Sequence, residues 1–266
     1  MTLPTLFVPH GGGPCFFIDP NGGPPDPMWQ PMQAYLAGLI DSLPERPRAI
    51  LLVSGHWEED AVTVHTGERP GLLYDYYGFP EHTYRLRWDA PGAPDVARRA
   101  ADLLRDSRFP VRAESQRGWD HGVFVPMKVA VPDADIPLAQ ISLRADLDPA
   151  DHIAIGRALA PLRDEGVLIV GSGMSFHNLR VRGAQATAPS AEWDASLTDA
   201  VTEPHPAERA ARVAAWDGLP HARFAHPREE HLLPLMIALG AGGGDAAVRD
   251  FHDVVLGWTV SGYRFG

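Results

Sequence analysis

The fold follows from Ile50-Leu51-Leu52-Val53-Ser54-Gly55-His56, a buried apolar strand that runs into a glycine and a histidine. A similar strand, Leu6-Phe7-Val8-Pro9-His10, precedes it, and Gly173-Met174-Ser175-Phe176-His177 repeats the pattern less regularly. In an open α/β sheet, ligands bind outside the carboxyl ends of the strands, so histidines from separate strands can converge there. Because neutral imidazole is the commonest protein ligand for metals, the pattern favours a mononuclear metal site.

Outward from these strands, helical and extended patterns alternate along the chain. Apolar residues from Met32 to Leu43 recur at helical spacing, and Pro44 and Pro47 end that helix. Further strands are predicted at Leu138–Leu143, Val167–Val170, Phe251–Val255 and Thr259–Tyr263, and further helices at Ala97–Leu104, Val125–Val131, Pro149–Leu162, Ala191–Val201 and Ala207–Trp216. This alternation predicts one α/β domain over residues 1–266, with a central mostly parallel or mixed β-sheet and helices on both faces.

Two long segments lack a regular period. Gly11–Pro25 is rich in glycine and proline, and Tyr74–Pro94 carries a cluster of aromatic side chains. Loops of this length are usually functional, and aromatic clusters often wall pockets. We therefore expect the Gly11–Pro25 loop and the Tyr74–Trp88 part of the aromatic segment to border the site. The alternative for the aromatic segment is a small core cluster beneath a long loop.

Composition excludes several classes of function. The 266 residues are 45% hydrophobic with a mean hydropathy of −0.15, and no apolar run approaches the ~18 residues needed to cross a bilayer. We expect a soluble protein without a membrane role and, because Met1–Thr5 does not begin a secretory signal, a cytoplasmic one. Acidic residues outnumber basic ones by 34 to 23, and no basic run exists, which argues against nucleic-acid binding. The oligomeric state stays open, a homo-oligomer included.

Two glycine-rich motifs and one cysteine resemble parts of known catalytic sites, but none matches a complete catalytic motif. Gly11-Gly12-Gly13 follows a strand, as phosphate-binding glycines do, but Pro14 removes a backbone donor and no phosphate-loop pattern is present. Gly171-Ser172-Gly173 is half of a nucleophile elbow, without the complete frame. The single cysteine, Cys15, excludes a disulfide within the chain, and we expect a space-filling thiol rather than a nucleophile.

The chain has 12 histidines, and most are predicted to be ordinary solvated or locally bonded side chains. This background set comprises His65, His82, His152, His205, His221, His226 and His252. His10 and His56 differ because each follows a buried strand and borders glycine, which favours metal ligation. Trp57 and Glu58 are candidates for orienting His56, since ligating imidazoles usually donate their second N–H to an acceptor.

Five motifs occur together: Pro9-His10-Gly11-Gly12-Gly13-Pro14, Ser54-Gly55-His56-Trp57-Glu58, Trp119-Asp120-His121-Gly122, Gly171-Ser172-Gly173 with His177-Asn178-Leu179, and Glu230-His231-Leu232-Leu233-Pro234-Leu235. In this order they resemble the DOPA-type extradiol ring-opening dioxygenases. That group belongs to the superfamily named for the catalytic (LigB) subunit of protocatechuate 4,5-dioxygenase, also called class III extradiol dioxygenases. The resemblance spans nearly the whole chain.

The resemblance implies a role for each histidine of the five motifs. His10, His56 and His231 would hold one divalent metal, and Fe(II) would be the catalytic ion. Zn(II) is the alternative occupant of the same site in purified protein, because three imidazoles also suit it. Glu230 is the alternative third ligand, because many class III members use two histidines and a glutamate. His177 would be the acid/base at the substrate, and His121 would be a second hydrogen-bonding histidine near the bound oxygen.

The implied reaction is the extradiol cleavage of a catechol, DOPA-like or related, by O₂. One alternative is a zinc-dependent hydrolase or amidase in which Glu58 or Glu230 serves as base to a metal-bound water. A third interpretation is a structural protein whose histidines merely hold Zn(II). Oxygen consumption separates the first reading from the other two. A substrate carboxylate would need a cationic histidine or an arginine, and the sequence does not select which.

Overall fold

A computed structural model describes residues 1–266. It contains eight strands: β1 (Thr5–Pro9), β2 (Ala49–Glu59), β3 (Val62–His65), β4 (Val111–Glu114), β5 (Leu138–Arg144), β6 (Val167–Gly173), β7 (Ala247–Val255) and β8 (Trp258–Phe265). All eight join one sheet in the order β4-β3-β5-β2-β6-β1-β8-β7. The central strands β5, β2, β6 and β1 run parallel to one another, whereas β8 is antiparallel to both β1 and β7. The predicted mixed sheet is confirmed.

The chain has eight α-helices: α1 (Gln30–Ala37), α2 (Pro94–Asp106), α3 (His121–Ala130), α4 (Pro149–Leu159), α5 (Ala184–Val201), α6 (Pro206–Ala214), α7 (Ala222–Ala225) and α8 (Leu233–Gly242). Neighbouring residues of β6 show that α3 and α8 lie on opposite faces. A Cβ on Gly171 would meet the carbonyl oxygen of Pro234 in α8, whereas the Ser172 hydroxyl donates to the carbonyl oxygen of Gly122 in α3. Since successive strand residues point to opposite faces, helices cover the sheet on both sides, as predicted.

One hydrophobic core of 75 buried residues joins the sheet to both helical layers, so the chain packs as a single unit. The apolar helix α8 is buried along its whole length, between the sheet and α4. None of the helices combines the length and the apolar character that a membrane span requires.

Several boundaries differ from the predicted ones. Strand β2 continues to Glu59 through a register shift against β5 between Val53 and Glu58, so His56 lies inside the strand and not after it. Strands β3 and β4 were not predicted. The β4 strand has only four residues, all at least partly exposed, so no buried apolar run marks it in the sequence. It is defined by its backbone pairing with β3. Helices α3 and α5 begin earlier than expected, at His121 and Ala184.

Candidate metal centre and substrate cavity

The structure brings together the three histidines predicted to hold a metal. His10 directly follows β1, His56 lies in the distal part of β2, and His231 lies two residues before α8. One ring nitrogen of each lies within 4.8 Å of the others. The Nε2 atoms of His231 and His56 are 3.2 Å apart. Three elements distant in sequence thus present imidazole nitrogens to one point.

Close backbone approach makes this convergence feasible. The segment before α8 lies against the end of β6, where the amide of Met174 donates to the carbonyl of His231 at 3.0 Å. A Cβ on Gly173 would lie 2.1 Å from that carbonyl oxygen, so only glycine fits there. Gly122 is equally constrained, because its Cβ would lie 3.0 Å from a ring nitrogen of His10 and 2.9 Å from the His56 ring.

Hydrogen bonds set which nitrogen of two rings carries the proton. Glu230 Oε1 lies 2.9 Å from Nδ1 of His231, and a carboxylate can only accept, so that Nδ1 is the donor. Nδ1 of His10 lies 3.2 Å from the Ser172 hydroxyl, which itself donates to Gly122 and therefore accepts from the ring. In both histidines the Nε2 lone pair is left free, as metal ligation requires.

The three rings are neutral. Burial, reinforced by repulsion among the neighbouring histidines, holds the pKa of His10 and of His231 well below the usual value. Burial is also the main cause that lowers the pKa of His56 to about 3. A divalent ion with bonds of about 2.0–2.2 Å separates neighbouring ligand nitrogens by about 3 Å, close to the observed 3.2 Å. Three neutral imidazoles with oriented tautomers therefore fit such an ion.

His121 is fixed by a carboxylate that sequence reasoning missed. Asp75 Oδ1 accepts from Nδ1 of His121 at 2.8 Å and from its backbone amide at 2.9 Å, while Oδ2 lies 3.8 Å from Nδ1 of His56. Burial alone would raise the pKa of Asp75, but the bond from His121 and the nearby imidazoles hold it below its usual value. The only available signal was the position of Asp75 within the aromatic segment.

His177 lies in the loop after β6 and packs flat on His231, with ring centroids 3.4 Å apart and an interplanar angle of 16°. Its Nδ1 is 3.5 Å from Glu230 Oε1, so one carboxylate oxygen faces both imidazoles. Burial opposes the ionisation of Glu230, yet His177 and Arg228 keep its pKa below the usual value. Glu230, the alternative ligand, therefore lies behind the ring of His231 as its hydrogen-bond acceptor.

The predicted orienting role of Trp57 and Glu58 is wrong. The Trp57 indole donates to Glu59 at 2.9 Å, and Glu58 forms a two-bond ion pair with Arg228. Adjacent strand residues point to opposite faces, so the residue after His56 cannot reach its ring. The carboxylate that faces Nδ1 of His56 is instead that of Asp75, 3.8 Å away in a distant loop.

A cavity of about 520 Å³ opens above the cluster and is lined by all five histidines of the motifs. Both long loops border it: Gly11 to Ile18 contribute one wall, and Tyr76, Tyr77 and Phe79 contribute another. Cys15 also lines it, but burial raises the pKa of its thiol to about 12, which agrees with a space-filling role. The remaining histidines lie outside the cavity.

The protein-family comparison matches residues 4–266 to the family described as the catalytic LigB subunit of aromatic ring-opening dioxygenase. Among similar curated proteins, a dioxygenase named tasH from Hapsidospora irregularis is 39% identical, over 99% of this chain and 85% of its own length. The 4,5-DOPA dioxygenase extradiol of Beta vulgaris is 36% identical, over 98% and 96%. The protein of the same name from Escherichia coli K12 is 34% identical, over 92% and 88%.

A solved structure has the same fold. The crystal structure of an uncharacterized protein from Escherichia coli K12 superposes with a TM-score of 0.80 at 29% sequence identity. The match covers 99% of this chain and 100% of the other. The match is therefore to the whole architecture and not to an isolated motif.

Proposed function

This chain belongs to the family of catalytic LigB subunits of aromatic ring-opening dioxygenases, and we propose that it opens a catechol ring on the extradiol side with O₂ at a metal held by His10, His56 and His231. The family is metal-dependent; we propose Fe(II) as the working ion. The observation that carries the assignment is the convergence of three neutral imidazoles at the base of a cavity lined by two further histidines. The names of the relatives suggest a DOPA-like or related catechol as substrate.

Fe(II) bound by the three imidazoles would supply the redox chemistry, passing electron density from a bound catechol to O₂. The chain itself supplies orientation and proton transfer. Ser172 and Glu230 hold the rings of His10 and His231 with Nε2 directed at one point. The apolar and aromatic walls accept the face of an aromatic ring.

His177 is proposed as the acid/base. It lines the cavity beside His231, and its Nδ1 faces the Glu230 carboxylate, which favours a proton on Nδ1 and leaves Nε2 as the acceptor. The catechol hydroxyl would transfer its proton to Nε2 of His177.

His121 is proposed as the second hydrogen-bonding histidine of the cavity, close to oxygen, and Asp75 is proposed to position it. The Asp75 carboxylate fixes the proton of His121 on Nδ1, so Nε2 is the atom left for contacts in the cavity. A single carboxylate thereby couples the positions of His121 and His56. The ring centroids of these two histidines are only 3.9 Å apart.

A zinc hydrolase is not favoured, because neither carboxylate proposed as its base faces the cavity. Glu58 is paired with Arg228, and Glu230 is bonded to Nδ1 of His231. Neither side chain lines the cavity. A water at the metal would therefore find imidazoles, and no free carboxylate, within reach.

Oxygen uptake tests the proposal. Protein freed of metal and loaded anaerobically with Fe(II) should consume O₂ when mixed with a catechol, and a yellow ring-opened product should form. The same protein loaded with Zn(II) should do neither. Failure of the Fe(II) protein to consume O₂ with any catechol in a panel of neutral, anionic and cationic members would contradict the proposed function.

A further inference from the structure

The charges around the cavity differ from those of the protein as a whole. The chain carries a net charge of −11, with 34 acidic residues. None of the 19 residues that line the cavity is aspartate or glutamate. Histidines aside, the one charged side chain among them is Arg182. The cavity thus presents a single fixed positive charge to a bound molecule.

Arg182 is not engaged by the protein. Its guanidinium forms no hydrogen bond or ion pair, although it offers five donors. Other arginines near the site are occupied: Arg117 donates to the carbonyl of His56 and to Asp120, and Arg228 pairs with Glu58. Arg180, two residues away, is also exposed and unpaired but does not line the cavity. Only Arg182 combines a free guanidinium with a place on the cavity wall.

The backbone on each side of Arg182 is anchored. The carbonyl of Val181 accepts from the indole of Trp258 at 2.7 Å, and the amide of Gly183 donates to the carbonyl of Leu256 at 2.7 Å. Trp258 and Leu256 themselves line the cavity. The side chain of Arg182 therefore starts from a fixed point beside the cavity instead of from a free loop, which reduces the entropy lost on binding a ligand.

We propose that Arg182 pairs with a carboxylate on the substrate, and that the preferred substrate is a catechol acid without an amino group. The inference rests on the proposed function, which places the diol at the histidine cluster. Guanidinium and carboxylate form two parallel charge-assisted hydrogen bonds. An ammonium group, as in an amino acid or amine, finds no carboxylate on the cavity wall to replace the water it loses.

The rim of the cavity fits an aryl group with a short side chain. Tyr77 and Leu179, which are 91% and 58% exposed, are two of the few large hydrophobic residues on the surface, and both line the cavity. They would cover the carbon chain between the ring and the carboxylate. The ligand class is thus a catechol ring, a short apolar linker and one anionic end.

Four catechols with related ring substituents test this assignment: 3-(3,4-dihydroxyphenyl)propanoate, L-DOPA, dopamine and 4-methylcatechol. We expect kcat/KM, measured by oxygen uptake with the Fe(II) protein, to be highest for the propanoate and lowest for dopamine. In Arg182→Met the preference for the propanoate over 4-methylcatechol should fall by about 10–100-fold, the usual size of a lost charged hydrogen bond. Arg182→Lys should recover part of it.

Arg180→Met is the matched control, and it should keep the wild-type preference. Anaerobic equilibrium binding of the propanoate provides a readout that needs no turnover, and Arg182→Met should weaken it by a similar factor. The inference is overturned if L-DOPA or 4-methylcatechol matches the propanoate, or if both arginine variants behave alike. Absence of oxygen uptake with every catechol would contradict the proposed function, while the binding experiment would still decide the role of Arg182.

Discussion

The histidine cluster and the region around His226 both exclude imidazole from water, but they do so with different partners. Around the cavity, rings face other rings, and carboxylates or a hydroxyl hold the nitrogens that point away from the common centre. His226 is fully buried between Trp193 and Trp216, with ring centroids 5.6 and 5.9 Å away, and its Nε2 lies 2.9 Å from the carbonyl of Ser175. Burial alone therefore does not mark a functional histidine.

What separates the two regions is convergence together with oriented acceptors. The cluster gathers imidazoles from β1, β2 and the segment before α8, all with nitrogens aimed at one volume. His226 meets indole rings and one backbone carbonyl at Nε2, its Nδ1 is buried without a hydrogen-bond partner, and it belongs to no group of potential metal ligands.

The largest effect is expected from His56→Ala. Removing one of three imidazole ligands should leave the purified and reloaded protein essentially without bound metal and without oxygen uptake, because the two remaining histidines do not complete the site. Metal content by elemental analysis measures this. His226→Gln serves as the control, since it alters a histidine that is buried even more deeply than His56 but lies outside the cluster, and it should retain the metal. Equal metal content in the two variants would contradict the ligand assignment.

His177→Ala should retain metal near the wild-type level while kcat falls by about 10²–10⁴-fold, the usual contribution of a general acid/base. His177 contacts His231 through its ring face and is not one of the three histidines whose nitrogens converge, although its Nδ1 does approach Glu230. Steady-state oxygen uptake and elemental analysis should be run on the same sample. An emptied metal site, or an unchanged kcat at saturating Fe(II) and O₂, would mean that the roles of the histidines are assigned wrongly.

Asp75→Asn should have a smaller effect, lowering activity or metal affinity by about 10–100-fold, as expected when the acceptor behind a working histidine is altered. The amide keeps the shape of the carboxylate but removes the charge that fixes the proton on Nδ1 of His121. Asp89→Asn, an exposed position further along the same loop, is the control. If both variants behave like wild type, Asp75 does not position His121.

The smallest effect on activity is expected for His226→Gln, whose consequence should instead be a change in acid stability. Burial lowers the pKa of His226 from 6.5 to about 4. Between these values the unfolded chain binds a proton that the folded protein does not, so stability falls as the pH falls through this window. His226 accounts for about 3 kcal/mol of that loss.

Denaturant unfolding of wild type and His226→Gln at several pH values from neutral to about 4 isolates this contribution. As the pH falls through this window, the wild type should lose about 3 kcal/mol more unfolding free energy than His226→Gln. A constant difference across the window would show that His226 is not held neutral by burial.

The sequence carried enough information to predict the parallel strands and the convergence of the histidines, because both depend on local apolar runs and on the topology that connects them. The extension of β2 past His56 depends on a register shift against β5, which is a property of strand pairing and not of the run itself. Glu58 illustrates the same limit. Its partner, Arg228, lies 170 residues away, and no local pattern links the two.

The hydrogen-bond partners that orient His10 and His121 could not be predicted either, because they are distant in sequence. Asp75 reaches His121 across 46 residues, and Ser172 reaches His10 across 162. In the sequence, nothing distinguishes Arg182 from the other arginines. In the fold, backbone hydrogen bonds to Trp258 and Leu256 hold it beside the cavity. His10 and His56 can be recognised from the sequence because each follows a local apolar run. The residues that orient His10 and His121 can be identified only from the folded structure, because they are distant in sequence.

The central claim is that three imidazoles hold one metal at which O₂ opens a catechol ring. The most direct test is the mass of the product formed by the Fe(II) protein under isotopically labelled O₂. We predict a ring-opened product whose mass equals that of the catechol plus both labelled oxygen atoms before exchange with water, and no such product from His56→Ala. A product that lacks the label, gains only one oxygen atom or forms equally in His56→Ala would contradict the account.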